Sequence, residues 1–247
     1  MKKFKVVSVD MFGTLVDISS VRYSVWSTFL GDRYTPELAD KCWERGSALL
    51  SQQIEGKVVN GRQYIPPRAI FEMIYSELFA EIGLDFDLAE AARVFALQHS
   101  YSRLHSDAMP FLERVGRKYP VCLSSDTDED MLGDLRQIYP FDYVVTSEEV
   151  GAYKTSDGGR FFSEVIKHYG ISPDRIVHIG DSLADIIGAK EAGIASCWLN
   201  RKKREWRHHI MPDYQVNSLT EAASLLGADI DPDTVGGAKG IGRGSRK

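Results

Sequence analysis

The sequence predicts an α/β fold: a parallel, doubly wound sheet with helices on both faces, and a helical domain inserted directly after the first strand. Three observations carry this expectation. Short β-branched runs recur along the chain, segments of helical period separate them, and one long stretch breaks the alternation. The opening run KVVSVD (5–10) is mostly apolar and reads as a buried strand that ends in an acid, followed by a Gly13-Thr14 turn. From Ile18 to about Leu104 no strand pattern is visible. Amphipathic pieces occupy 36–56, 67–83 and 88–104, and their loops carry the helix breakers Pro36, Gly56, Gly61, Pro66 and Pro67.

Beyond that insertion the alternation resumes. MPFLERVGRKY (109–119) reads as a helix and PVCLSSD (120–126) as a strand; DEDMLGDLRQIY (128–139) is helical and DYVVTS (142–147) extended. GRFFSEVIKHYG (159–170), RIVHIGD (175–181) and SLADIIGAKEAG (182–193) continue the pattern, followed by the strands ASCWLN (195–200) and YQVNS (214–218) and a last helix at 219–227. The expected division is therefore a sheet core from 1–17 and 105–230, a helical insertion over 18–104, and a tail over 231–247. That tail is glycine-rich, carries Lys239, Arg243, Arg246 and Lys247, and has almost nothing to bury, so it reads as disordered; an anionic partner is the sharper alternative.

Composition removes several function classes. The chain has 247 residues, 43% hydrophobic and 26% charged, with a formal net charge of −5, so it has enough chain to bury a core and no basic field for a nucleic-acid partner. Cys42, Cys122 and Cys197 are odd in number and widely spaced, which suits neither a disulfide framework nor a zinc cluster. The basic start MKKFK leads into an apolar stretch too short for a signal peptide, and no run elsewhere approaches a membrane span. A cytoplasmic protein, monomeric or homodimeric, is expected.

In an open α/β sheet the ligand sits outside the carboxyl ends of the strands. Asp10, Ser124-Ser125-Asp126, Lys154 and Asp181 all fall at or just beyond such ends. Each alone reads as a helix N-cap or a solvated loop residue. Together they form an ordered set of acid, hydroxyl, ammonium and second acid.

The segments D-x-x-G-T-L-V-D (10–17), the strand to serine at 121–125, Lys154, and G-D-S-x-x-D (180–185) followed by G-A-K-E-A-G-I resemble the haloacid dehalogenase superfamily of aspartate-nucleophile hydrolases. The likeness covers 5–17 and about 105–225; the inserted helices resemble that superfamily's small α-helical cap in placement and character. The resemblance implies a Rossmann-like core with a cap, a small-molecule substrate that is phosphorylated or carboxylated, and Asp10 as a nucleophile that forms a covalent intermediate. It implies Mg²⁺ held by the Asp10 side chain, the backbone carbonyl of Phe12 and Asp181, with Asp185 supporting through water, a hard-oxygen set that suits magnesium. Ser125 and Lys154 would bind the transferring group, with Ser124 as the alternative hydroxyl, Asp126 standing where the family usually has asparagine, and Thr14 serving the turn with a secondary contact to the reacting group.

Phe12 departs from the phosphatase pattern. The family's phosphatases place a second aspartate there to protonate the leaving alcohol, help typically worth roughly 10²–10⁴-fold. The 2-haloacid dehalogenases carry an aromatic residue at this position, because a halide leaves without a proton. Gly180-Asp181-Ser182, by contrast, keeps the acidic, metal-using form that those dehalogenases replace. The reading is a magnesium-dependent, phosphatase-like hydrolase with an altered acid/base position; the alternatives are a dehalogenase-type enzyme or a scaffold that has lost turnover. RKKREWRHH (201–209) reads as a solvated basic loop or as phosphate steering. His178 reads as a satisfied core histidine, Asp17 as the exit towards the insertion, and Arg22, Trp26, Arg45, Arg62 and Arg68 as candidate specificity residues.

Overall fold

The computed structural model describes residues 4–60, 64–155 and 159–228. Arg62 and the tail at 231–247 lie outside the described residues. β1 (Val6–Val9) enters a tight turn and a two-residue strand β2 (Val16–Asp17). A 3₁₀ turn leads into α1 (Arg22–Leu30), α2 (Pro36–Asn60), α3 (Pro67–Ile82) and α4 (Leu88–Ser100), and β3 (Arg103–Leu104) returns antiparallel to β2. The remainder alternates: α5 (Ala108–Gly116), β4 (Val121–Ser125), α6 (Leu135–Ile138), β5 (Tyr143–Thr146), α7 (Ser147–Val150), α8 (Arg160–Tyr169), β6 (Ile176–Gly180), α9 (Leu183–Glu191), β7 (Ala195–Leu199), β8 (Tyr214–Val216) and α10 (Leu219–Leu225).

The six longer strands form one parallel sheet in the order β5-β4-β1-β6-β7-β8. The order in which successive strands are added reverses at β1, so the carboxyl ends of β1, β4 and β6 flank the crevice expected to hold a ligand. One face packs Phe111, Leu112 and Val115 of α5 and Leu219 and Ala222 of α10. The other packs Phe161, Phe162 and Val165 of α8 and Ala189 of α9. The inserted helices bury a separate aromatic cluster that includes Trp26, Phe29, Tyr75, Phe79 and Phe95. Phe12 packs against both this cluster and the α5/α10 side of the sheet.

Four details differ from the expectation. β3 falls inside the stretch expected to hold no strand, and the helix expected over 88–104 ends at Ser100; two-residue strands carry too little periodicity to be read. α1 has no marked apolar stripe, because the insertion buries it from several sides through Val25, Trp26, Phe29 and Leu30. The four-residue α7 likewise lies below the length at which a period shows. The helix expected over 128–139 is broken into a 3₁₀ turn at Glu129–Leu132 and the short α6. Gly133, at φ 53°, makes the break: a Cβ there would stand 2.3 Å from the Ser100 carbonyl, so glycine lets this loop reach the end of α4.

Candidate active site

Of the polar residues singled out at strand ends, Asp10, Asp126, Lys154 and Asp181 come together in one place. Asp10 leaves β1 with its N–H donated to the Ile179 carbonyl at 2.9 Å. The turn that follows folds back on Met11, whose carbonyl accepts from Leu15 and Val16 at 2.8 and 2.9 Å. Gly13 sits at φ 79°, and a Cβ there would stand 2.6 Å from the Asp181 carboxylate, so this glycine lets the turn and the second acid close on each other. Asp10, Asp181 and Asp185 offer carboxylate oxygens within 4.8 Å of one another. No hydrogen bond among the described residues ends on the Phe12 carbonyl, two residues from Asp10. Three carboxylates this close together suit a hard cation such as Mg²⁺.

Lys154 is 2% exposed, and its ammonium donates at 2.6 Å to both Asp10 and Asp185. Gly188 in α9 seats it: a Cβ there would stand 2.2 Å from the Lys154 carbonyl. The Lys154 N–H also donates to Asp126 at 3.0 Å. Asp185 is saturated. Its Oδ1 accepts from Lys154 and from His178 Nε2 at 2.9 Å, and its Oδ2 accepts from the N–H and hydroxyl of Ser182 at 2.9 and 2.6 Å in a capping box at the start of α9. Because the carboxylate only accepts, His178 carries its proton on Nε2, and Nδ1 accepts from Ser8 at 2.7 Å. Ser8 in turn meets Ser124 at 2.8 Å. The Ser124 hydroxyl is thus engaged in a chain running through the sheet, while Ser125, the next strand residue, faces the opposite side.

Burial sets the electrostatics. It would lower the Lys154 pKa, but the carboxylates of Asp10, Asp185 and Asp126 outweigh it and hold the ammonium charged. Burial would raise Asp185, but Lys154 and His178 overcome it, so this acid stays ionised. Asp10 shares the lysine without the other donors; burial and the Asp185 charge raise it. Asp181 is pushed up to about 6 by burial and by Asp185, and Asp126 up to about 6 mainly by burial. One lysine facing this many acids leaves a surplus of negative charge.

A cavity of about 350 Å³ opens beside Asp181 and runs into the insertion. Arg201, Lys202 and Arg204 of the basic loop after β7 stand at its mouth. Arg201 is committed to structure, with a bidentate pair to Asp107 at 2.9 and 3.0 Å and a bond to the Thr14 carbonyl at 2.9 Å. Arg204 donates to the Asp181 carbonyl at 3.2 Å and lies 3.9 Å from its carboxylate. Thr14 itself is fully buried, its hydroxyl without a partner among the described residues. Of the insertion residues singled out, Trp26 lines the cavity. Arg22 pairs with Asp40, Arg45 with Glu77 and Glu81, and Arg68 with Asp130, all away from it.

Sequence reasoning missed the coupling of His178 to Asp185 and the presence of Ser8 in the same chain. The signal was there: a polar side chain inside a β-branched strand must find a partner.

The sequence model of the haloacid dehalogenase-like hydrolases matches residues 4–193. The Escherichia coli pyrimidine 5'-nucleotidase YjjG is 40% identical over 89 residues, 35% of this chain and 38% of that protein. The Thermus thermophilus phosphoserine phosphatase is 27% identical over 157 residues, 61% of this chain and 62% of the relative, so the chain matches less than two thirds of either protein's length. The (S)-2-haloacid dehalogenase 2 of a Pseudomonas species is 22% identical over 240 residues, 92% of this chain and 97% of that one. Among solved structures, the magnesium-bound HAD-hydrolase YfnB of Bacillus subtilis superposes with a TM-score of 0.78 at 19% identity, covering 91% of this chain and 99% of that one. The L-2-haloacid dehalogenase of Xanthobacter autotrophicus gives 0.74 at 18%, covering 91% and 98%. With the family's match running from residue 4 to 193 over more than half of the chain, and a parallel sheet flanked by helices, the chain belongs to the haloacid dehalogenase-like hydrolases and is an enzyme of that family.

Proposed function

We propose that this enzyme is a Mg²⁺-dependent, phosphatase-like hydrolase of a small phosphorylated metabolite, with the sheet core at 1–17 and 105–230 and residues 18–104 acting as a cap. The observation that carries the reading is the acidic cluster: three carboxylates within 4.8 Å of one another and one buried lysine paired to two of them. Asp10, Asp181 and the Phe12 carbonyl would hold the ion, while Asp185, its acceptor positions already filled by Lys154, His178 and Ser182, would add negative charge beside it. Bound Mg²⁺ supplies charge neutralisation for the phosphoryl group.

The Asp10 oxygen not paired to Lys154 attacks phosphorus. The bond to the leaving oxygen breaks, an aspartyl phosphate forms, and water then opens it to phosphate and free Asp10. Lys154 favours the ionised form of Asp10 against burial and, with the Ser125 hydroxyl, binds the phosphoryl oxygens. Asp126 positions Lys154 through its backbone, and Thr14 shapes the turn. With Phe12 at the acid position, a leaving group that departs as a stable anion is favoured. The three free, buried cysteines fit a reducing cytoplasm, and the protein works there as a monomer or homodimer.

Phe12 and the full-length dehalogenase relatives favour a second reading, haloacid hydrolysis. Against it, no arginine of the insertion among the described residues lines the cavity to receive a substrate carboxylate. A panel of phosphate esters, acetyl phosphate and L-2-chloropropionate separates the two: phosphate release supports the phosphatase, and chloride release without phosphate selects the dehalogenase.

A further inference from the structure

The cavity beside Asp181 is larger than a phosphoryl group needs, and its inner part is built from the insertion rather than from the sheet. Its walls there are rings and aliphatic side chains, among them Trp26, Trp43, Phe71, Tyr75 and Phe95. At the mouth stand Asp181, Lys202 and Arg204, where an anionic head belongs. A polyol placed against the inner walls would lose water from its hydroxyls and find few partners. A flat ring would exchange water for ring contacts, which aromatic pairs favour.

Ser47 and Ser51 of α2 also line this part of the cavity, and Tyr75 adds a phenol to its ring wall. Tyr75 is 4% exposed, its ring packs against Phe29 at 5.2 Å and Phe79 at 5.2 Å, and its hydroxyl has no hydrogen-bond partner among the described residues. Burial pushes this phenol well above its ordinary range, so it stays a neutral donor. Tyr75 lines this cavity and so offers a hydrogen-bond donor to a ligand there.

We infer that the substrate's leaving group is an aromatic or heteroaromatic ring, seated in the insertion cavity with a hydrogen-bond acceptor on its far edge for the Tyr75 hydroxyl. This rests on the phosphatase reading and names the substrate class for it: a ring-bearing phosphate rather than a sugar or polyol phosphate. It also agrees with Phe12, because an aryl oxygen leaves with less need of a proton than an alkyl oxygen.

Non-hydrolysable phosphonates test the cavity without the chemistry, since they have no leaving group to confuse seating with reactivity. Binding of methylphosphonate, phenylphosphonate and pyridin-4-ylphosphonate to the wild-type protein with Mg²⁺ is measured by calorimetry. Phenylphosphonate is expected to bind about 10–100-fold more tightly than methylphosphonate, the gain from burying one ring. The pyridyl compound should bind more tightly again, and Tyr75→Phe should remove that second increment while keeping the first. Gly46→Leu, whose Cβ has only an ordinary contact with Leu78 at 3.6 Å, narrows the cavity and should lower the phenyl-to-methyl affinity ratio at least several-fold. Equal affinity for methyl- and phenylphosphonate overturns the inference, as does a pyridyl preference that survives Tyr75→Phe for the far-edge contact. Acetyl phosphate, compared in wild type and Asp10→Asn, reads the phosphatase proposal separately. Turnover of acetyl phosphate with no ring preference sinks the cavity inference alone; no turnover and no phosphonate binding sinks the phosphatase reading and the inference with it.

Discussion

The carboxyl end of the sheet and the inserted helices meet at one cavity but are built by opposite means. The sheet end is polar and fixed: Asp10, Lys154, Asp185, His178, Ser8 and Ser124 form a continuous hydrogen-bonded chain whose members are nearly all sealed from solvent. The insertion is aromatic, and its ion pairs lie on its exposed side, as with Arg45 and Glu81. In a buried polar chain each deletion strands a charge or a donor, so single residues matter greatly. In a ring cluster neighbours share the load, and shape matters more than any one contact. On the proposed function, the difference puts chemistry at the sheet end and selection in the insertion.

The largest effect that comparison predicts is at Asp10. Asp10→Asn keeps the volume and removes the nucleophile, so turnover should fall to background, by about 10⁴–10⁶ as for other lost nucleophiles. Phosphate release from a cleanly purified variant at near wild-type rate would take Asp10 out of that role. Next is Phe12, which lies on the seam of the two regions. Phe12→Asp puts a carboxyl two residues from Asp10 and keeps the backbone carbonyl of residue 12, so alkyl phosphate turnover should rise by some part of roughly 10²–10⁴, and activated esters should gain less. Wild-type protein that hydrolyses alkyl and aryl phosphates equally well would show that Phe12 is no handicap.

Stability sharpens the same contrast. Lys154→Ala leaves Asp10 and Asp185 buried without their cation and should cost about 3–5 kcal/mol in denaturant unfolding, part of it recovered by added Mg²⁺. On the insertion side, His99 is fully buried among Phe12, Trp43 and Phe95 and donates through Nδ1 to the Phe95 carbonyl at 2.7 Å. Burial lowers its pKa from 6.5 to about 4. The folded state therefore holds the imidazole neutral where the unfolded chain protonates it. Its contribution is complete above pH 6.5 and is lost as pH falls towards 4, in all about 3 kcal/mol. The stability of His99→Phe should fall less steeply between pH 7 and 5 than that of wild type; parallel curves would exclude His99 as the source. Smallest is Arg45→Ala, which breaks an exposed pair and should cost under about 1 kcal/mol.

What could be read in the sequence divides along the same line. Asp10, Lys154 and Asp181 stand out because strand ends repeat and the acids and glycines around them have fixed spacing. Gly13 and Gly188 owe their places to carboxylate and carbonyl oxygens that a Cβ would strike. The cavity could not be read, because Trp26, Tyr75, Asp181 and Arg204 come from distant segments and only packing brings them together. The β2–β3 pair was hidden for another reason: strands of two residues have no period, and their partners lie on either side of the whole insertion.

The central claim, that the sheet end performs Mg²⁺-dependent phosphoryl transfer through Asp10, is tested most directly by product release. Phosphate and chloride are measured from 4-nitrophenyl phosphate, acetyl phosphate and L-2-chloropropionate, with Mg²⁺ and with the metal chelated, for wild type and Asp10→Asn. The account predicts phosphate release by wild type that needs Mg²⁺ and vanishes in Asp10→Asn, with no chloride released. Chloride release that is indifferent to chelation, with no phosphate from either phosphorylated compound, would contradict it.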